Sequence, residues 1–247
     1  MALTIDTFSF KNLLGTLPRG EPLGTDYLKK KGLTSVHASY LAKHGWLTHL
    51  GRGVYMLPGD TLTREGCIAF LSQQIPGLHV AGQTALSWRG IRHNISFRDH
   101  IALWGEKRVQ LPEWFLSRFD CTYQATALFD PKLPENLGLQ ALPGGSPSLL
   151  VSVPERALLE LLSDVGKTES LSEVKLVVEG LHSLREPVLD TLLKHTTRVK
   201  VIRLARMLAD ELDLPWAKLA QKHSERSGNG SRWVAVSKNG ERLDLKR

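Results

Sequence analysis

Cysteine is scarce in this chain. Two residues in 247, Cys67 and Cys121, are too few and too far apart for a disulfide framework, and no Cys/His spacing matches a zinc site. That usage fits a reducing cytoplasm. No apolar run approaches the roughly 20 residues that span a bilayer. The opening MALTIDTFSFKN has no basic stretch leading into an apolar one, so no secretory signal and no membrane partner are expected. A phosphate-cradling Gly-Lys-Ser/Thr loop and a nucleophile elbow are missing too, and no convincing internal repeat is present. These absences remove the enzymes that a short motif would announce, and with them any expected cofactor or metal.

What is there suits a protein with a packed core: 42% hydrophobic and 23% charged residues, at a length that admits a small domain plus a larger one. The formal charge is +7, and it is unevenly spread. Residues 1–60 carry seven Lys/Arg against four Asp/Glu, residues 61–195 thirteen against fifteen, and residues 196–247 twelve against six. Basic excess at both ends of a slightly acidic middle is the footprint of a polyanion partner. The plain alternative is a set of solvated lysines.

The first sixty residues decide between them. A helical segment over Ile5–Leu17 is stopped by Pro18-Arg19-Gly20. Thr25 reads as the cap of a second, TDYLKKKGL, which Gly32 ends. Thr34 or Ser35 caps a third, SVHASYLAKHG, in which Ala38, Leu41, Ala42 and Gly45 make a narrow core face. Val36, Ser39, Tyr40 and Lys43 repeat the spacing on the other side. Trp46–Leu50 alternates like a strand, Gly51-Arg52-Gly53 turns, Val54–Leu57 returns, and Pro58-Gly59-Asp60 closes the unit. Helix, short helix, turn, helix and two-stranded wing make a winged helix-turn-helix. In that reading the third helix lies in a major groove, with Thr34, Ser35, His37, Ser39, Tyr40 and Lys43 facing DNA. Lys29, Lys30 and Lys31 meet phosphates, and Arg52 is the wing tip. Arginine to guanine and asparagine or glutamine to adenine are the strong base readers, and this helix face has none of them. Shape and phosphate contacts are left the larger share.

The rest is mixed α/β text. Helices are expected over Arg64–Gln74, through GQTALSWRGI, from Pro154 through VPERALLELLSDV, and over 170–184, 186–195 and 198–212. Asp99–Trp104 and Asp120–Phe129 look like strands, and Asn239-Gly240 marks a closing hairpin. The class is therefore α+β: a winged helix-turn-helix over 1–60, then a larger mixed α/β, helix-rich domain over 61–247. The Pro/Gly-rich run Leu142–Pro147 marks an internal boundary near 142–150.

Two further patterns compete for function. In the last basic helix, Lys200, Arg203 and Arg206 recur every three residues and read as a secondary basic surface. Asp164 followed by Glu173-Val174-Lys175 superficially satisfies a nuclease pattern for metal-assisted hydrolysis. Those residues sit in helical text, whereas that constellation needs strands to converge its ligands. His79, His93 and His100 do not fall at metal spacing and are read as bonded to backbone or solvent.

Four segments resemble the AbiEi family of antitoxins from bacterial type IV, abortive-infection toxin–antitoxin pairs. They are LAKHGWLTHLGRGVYMLPGD (41–60), HVAGQTALSWRGIRHNI (79–95), LPEWF (111–115) and VSVPERALLELLSDV (151–165). The tail after Gly230 departs from the family's closing hairpin. The resemblance implies a non-enzymatic protein of two domains. The N-terminal one represses its own operon by binding operator repeats in double-stranded DNA. The C-terminal one counters a cognate nucleotidyltransferase-like toxin, without requiring a stable complex. Carried over, the DNA-contacting roles fall on the third helix and wing named above. A transcriptional regulator with a ligand- or partner-sensing C-terminal domain stays open as the alternative.

Overall fold

The structure, a computed structural model, describes residues 13–91, 100–134, 136–227, 233–236 and 242–245. A helical turn over 13–16 (α1) stops ahead of Pro18; the expected start at Ile5 lies outside the described residues. β1 (Leu23–Gly24) leads directly into α2 (Thr25–Lys30). Thr25 is not the cap. Gly24 holds that position without a side-chain bond, and Thr25 donates its backbone N–H to Gly53 O at 3.0 Å. In α3 (Ser35–Lys43) Thr34 is the cap, its hydroxyl accepting from His37 N at 3.3 Å. β2 (Thr48–Gly51) and β3 (Val54–Met56) form the antiparallel wing, and β1 adds on the far side of β3. Two residues are too short to show a period, which is why β1 was missed.

Leu17, Leu23, Leu28, Leu33, Ala38, Leu41, Leu47, Tyr55 and Leu57 close one apolar core. Burying a leucine contributes roughly 1.5–3 kcal/mol, so these residues hold helices and wing together. Of the expected core face of α3, Ala38 and Leu41 are buried, Ala42 is half-buried and Gly45 is exposed just past the helix end.

Next comes α4 (Arg64–Ser72), with Thr63 accepting from Gly66 N at 3.0 Å as its cap. Then follow β4 (His79–Val80), α5 (Gly82–Trp88), β5 (Ile101–Trp104), the short α6 (Glu113–Leu116) and β6 (Cys121–Gln124). β7 (Leu139–Gln140) and β8 (Val151–Ser152) precede α7 (Pro154–Asp164), whose first residue is the proline expected there. The remaining helices are α8 (Leu171–Val178), α9 (Glu186–His195), α10 (Val199–Glu211) and α11 (Ala217–Arg226), and β9 (Trp233–Val236) pairs antiparallel with β10 (Arg242–Leu245). The turn residues Asn239-Gly240 lie outside the described ones. The strand expected to reach Phe129 ends at Gln124, and the helix expected to reach 184 ends at Val178. No expectation covered α11.

The larger sheet runs β6-β5-β4-β8-β7, with β5/β6 and β4/β8 parallel and β4/β5 and β7/β8 antiparallel. The stretch expected as an internal boundary, 142–150, is the connection between neighbours β7 and β8 and closes on itself through Gly145 N to Leu142 O at 2.9 Å.

Two compact units result: Met1–Gln74 with Gln110–Phe119, and Ile75–Val109 with Asp120–Arg247. The break expected after residue 60 falls inside the first unit, for physical reasons. Asp60 Oδ2 accepts from Gly20 N at 2.7 Å, and Thr63 donates to Gly20 O from its backbone N at 2.8 Å and its hydroxyl at 3.0 Å. α6 joins the same unit, where Trp114 meets Phe70 edge-on with ring centroids 6.2 Å apart.

Candidate nucleic-acid interface

A helix that buries only Ala38 and Leu41 leaves most of its surface outward. Ser35, Val36, Ser39, Tyr40 and Lys43 of α3 are all exposed, as is the cap Thr34. His37 is different. It is half-buried, and its Nδ1 is sealed from solvent without a hydrogen-bond partner among the described residues. Two contacts that the sequence did not reveal organise this face. The Ser39 hydroxyl lies 3.3 Å from the Tyr55 hydroxyl, which ties α3 to the wing strand β3. The Tyr40 ring lies over His44, centroids 4.0 Å apart, and His44 Nδ1 is 2.8 Å from the Tyr40 carbonyl.

The wing explains its two glycines separately. Arg52 and Gly53 form the loop between β2 and β3, and the ladder slips a residue between His49 and Gly51. Gly53 has φ +72°, a conformation that costs a residue with a side chain about 1 kcal/mol or more. Gly51 serves a different need. A Cβ there would lie 3.1 Å from Trp114 Cδ1, so the missing side chain lets the α6 indole sit against the strand. Arg52, between them, is exposed at the tip.

Lys29, Lys30 and Lys31 are exposed at the end of α2, where cations also complement the helix dipole. The Lys31 ammonium sits 5.8 Å from the Tyr27 ring centroid. The first unit thus carries, exposed, every residue expected to meet DNA except His37, which is half hidden.

The secondary basic surface expected on α10 does not form. Arg203 is 2% exposed and donates to Leu245 O at 3.2 Å. Lys200 reaches the carbonyls of Ser163 and Val165 at the end of α7. Burial, with Lys167 nearby, pushes its ammonium down to about 8. Arg206 pairs with Asp210 one turn on, at 3.3 Å. A spacing of three leaves Arg203 in the interior, while Lys200 and Arg206, half-buried, are engaged by groups of their own unit.

The nuclease pattern dissolves as well. Asp164 Oδ2 accepts from Gln124 at 2.7 Å, Glu173 bonds the Ser170 hydroxyl that caps its own helix, and Lys175 pairs with Glu211. Among the described residues no group of three His, Cys, Asp or Glu could hold a metal ion. His79 Nδ1 lies 2.7 Å from Gly77 O and its Nε2 3.0 Å from Glu160, while His100 sits between Asp120 and Thr122. His93 lies outside the described residues. Both thiols are raised by burial, Cys67 to about 12 and Cys121 to about 11, which disfavours the thiolate form.

Comparison with known sequences decides the family. Residues 7–97 match the profile described as a transcriptional regulator, AbiEi antitoxin N-terminal domain, and residues 98–245 match that of a transcriptional regulator, AbiEi antitoxin, of type IV toxin–antitoxin systems. The chain belongs to the AbiEi antitoxin family. As a member, it is a transcriptional regulator of a type IV system. No curated protein sequence matches it. Among solved structures, it is similar to the RV2827C protein from Mycobacterium tuberculosis, at TM-score 0.58 and 14% identity over 94% of this chain and 89% of that one. Such a likeness speaks to the fold alone. Among the described residues, no helix of this AbiEi member is long and apolar enough to cross a membrane.

Proposed function

We propose that this AbiEi antitoxin represses its own operon by binding operator DNA through the first unit, and that the second unit counters a cognate nucleotidyltransferase-like toxin in the bacterial cytoplasm. α3 enters the major groove with Ser35, Ser39, Tyr40 and Lys43 foremost and Thr34 and His37 at its start. Lys29, Lys30 and Lys31 grip phosphates, and Arg52 reaches along the backbone or into the minor groove. The observation that carries this reading is the exposed face of α3 in a unit whose lysines and wing arginine are exposed with it. Phosphate contacts position such a helix and base-edge contacts give it sequence preference. Neutralisation takes place without catalysis and without a required stable complex with the toxin.

The test has two arms. Full-length protein should shift a duplex from its own promoter at concentrations that leave scrambled DNA of equal composition free. Co-expression with a cognate nucleotidyltransferase-like toxin should restore growth. Equal binding to both duplexes removes operator recognition, and absence of protection removes the antitoxin assignment. A regulator with a sensing second unit is the other reading, favoured if repression is seen and protection is not.

A further inference from the structure

The exposed face of α3 poses a chemical puzzle. It offers no arginine, asparagine or glutamine to a base, yet its most prominent side chain is apolar. Val36 is 64% exposed, the highest value among the exposed large hydrophobic side chains described, and Tyr40, one turn on, is 45% exposed. Positions i and i+4 share a helix face. Ser35, Ser39 and Lys43, all exposed, surround the pair. A β-branched residue gains nothing locally at an exposed helix position, where its propensity is below that of alanine or lysine. It does present its two methyl groups in one strongly preferred rotamer. Tyr40 is restrained in turn by the His44 ring 4.0 Å away.

One occupant fits an apolar knob flanked by hydroxyls and a lysine. The major groove carries a single apolar marker, the C5 methyl of thymine, in a setting otherwise of hydrogen-bonding edges and flanking phosphates. Exposed Lys29, Lys30, Lys31 and Lys43 supply the complement to those phosphates. We propose that Val36, with Tyr40 beside it, reads thymine methyl groups in the operator and is the main sequence-selecting residue of α3. This rests on the operator-binding reading above. The sequence placed Val36 on this face but gave it no role.

The experiment uses the full-length protein and duplexes from its own promoter, synthesised either with thymidine or with deoxyuridine throughout, titrated by fluorescence anisotropy at one salt concentration. Deoxyuridine removes only the methyl group. Wild-type binding should weaken about fourfold for each methyl in contact. Val36→Ala should bind the thymidine duplex more weakly and lose the preference for thymidine over deoxyuridine. Val36→Thr, which keeps one methyl, should retain part of it. Arg52→Ala should weaken both duplexes and keep the preference intact. Because Val36 is exposed, thermal melting of both variants should match wild type within a few degrees. Equal wild-type affinity for the two duplexes overturns the proposal while leaving operator binding in place, as does a full thymidine preference in Val36→Ala. If neither duplex is preferred over scrambled DNA, operator binding itself fails. A drop in solution mass in Val36→Ala would assign the patch to a second copy of the chain and overturn the proposal too.

Discussion

The two units use charge in opposite ways. Among the described residues, every buried charged side chain and buried histidine belongs to the second unit: His79, Glu155, Glu160, Arg203 and His223. The winged-helix core of the first unit is leucine, alanine and tyrosine, with Lys29, Lys30, Lys31, Lys43 and Arg52 left in solvent. A unit that meets a polyanion keeps its cations outside, where they can displace counterions. The second unit spends basic residues internally. Arg156 and His79 meet Glu160, the exposed Arg185 reaches in to the buried Glu155, and Lys200 covers the carbonyls at the end of α7. Counting charge along the sequence therefore mixes exposed cations with the few charged groups that the second unit buries.

The largest effect that sharpens this contrast is expected at Glu160. Its Oε1 lies 3.0 Å from His79 Nε2 and 2.9 Å from Arg156 Nε, while Oε2 accepts from the Ser152 hydroxyl at 2.8 Å and Gly82 N at 3.1 Å. Burial pushes this carboxyl up, and the charge and hydrogen bond of His79, with Arg156 and Ser152, bring it below its ordinary value. Glu160→Ala strands those donors, and removing one partner of a buried pair costs about 3–5 kcal/mol. Urea unfolding should show that loss; a change below about 1 kcal/mol would mean the network is dispensable.

Leu28→Ala comes next. Leu28 is fully buried in the apolar core of the first unit, and such truncations cost roughly 2–5 kcal/mol. Promoter binding should fall with it at 37 °C, while protection against the toxin persists, since the neutralising task is assigned to the other unit. Joint loss of both activities would break the division of labour.

Acid should find the second unit first. Burial raises the Glu155 carboxyl, but the side-chain and backbone hydrogen bonds of Arg185 outweigh it and leave the group below its ordinary 4.5. A carboxyl lowered in the folded state adds stability that is complete above the unfolded value and is lost as pH falls through the folded one. Stability should thus decline below about pH 4.5, and Glu155→Gln should flatten that decline while lowering stability at neutral pH. A wild-type profile that Glu155→Gln leaves unchanged would show that this pair does not set acid sensitivity.

Much of the first unit was legible because its signals are local. Pro18 and Gly32 end helices, Thr34 caps α3, and the glycine-flanked turn announces the wing. What escaped depended on partners distant in sequence. β1 is defined only by pairing with β3, and Gly51 is explained only by Trp114, which arrives from residues 110–119. In the second unit the same limit reversed a reading. Lys200, Arg203 and Arg206 have the spacing of a basic stripe, but spacing does not reveal whether β10 and the end of α7 cover it. The exposed readers of α3 were legible as a face, whereas the half-burial of His37 and the prominence of Val36 were not.

The smallest expected effect separates the two kinds of cation directly. Arg52 stands exposed at the wing tip, while Arg206 of α10 is held to Asp210 one turn away. If Arg52 meets a phosphate, Arg52→Ala removes roughly one charge contact, so affinity falls on all sequences alike and the slope of log affinity against log salt shrinks by about one. Arg206→Ala should leave that slope where it was, because a residue engaged inside its own helix releases no counterion from DNA. Anisotropy titrations of both variants across several salt concentrations measure the difference. An unchanged slope in Arg52→Ala would reduce the wing arginine to the occupant of a turn, and a shrunken slope in Arg206→Ala would restore α10 as a second nucleic-acid surface.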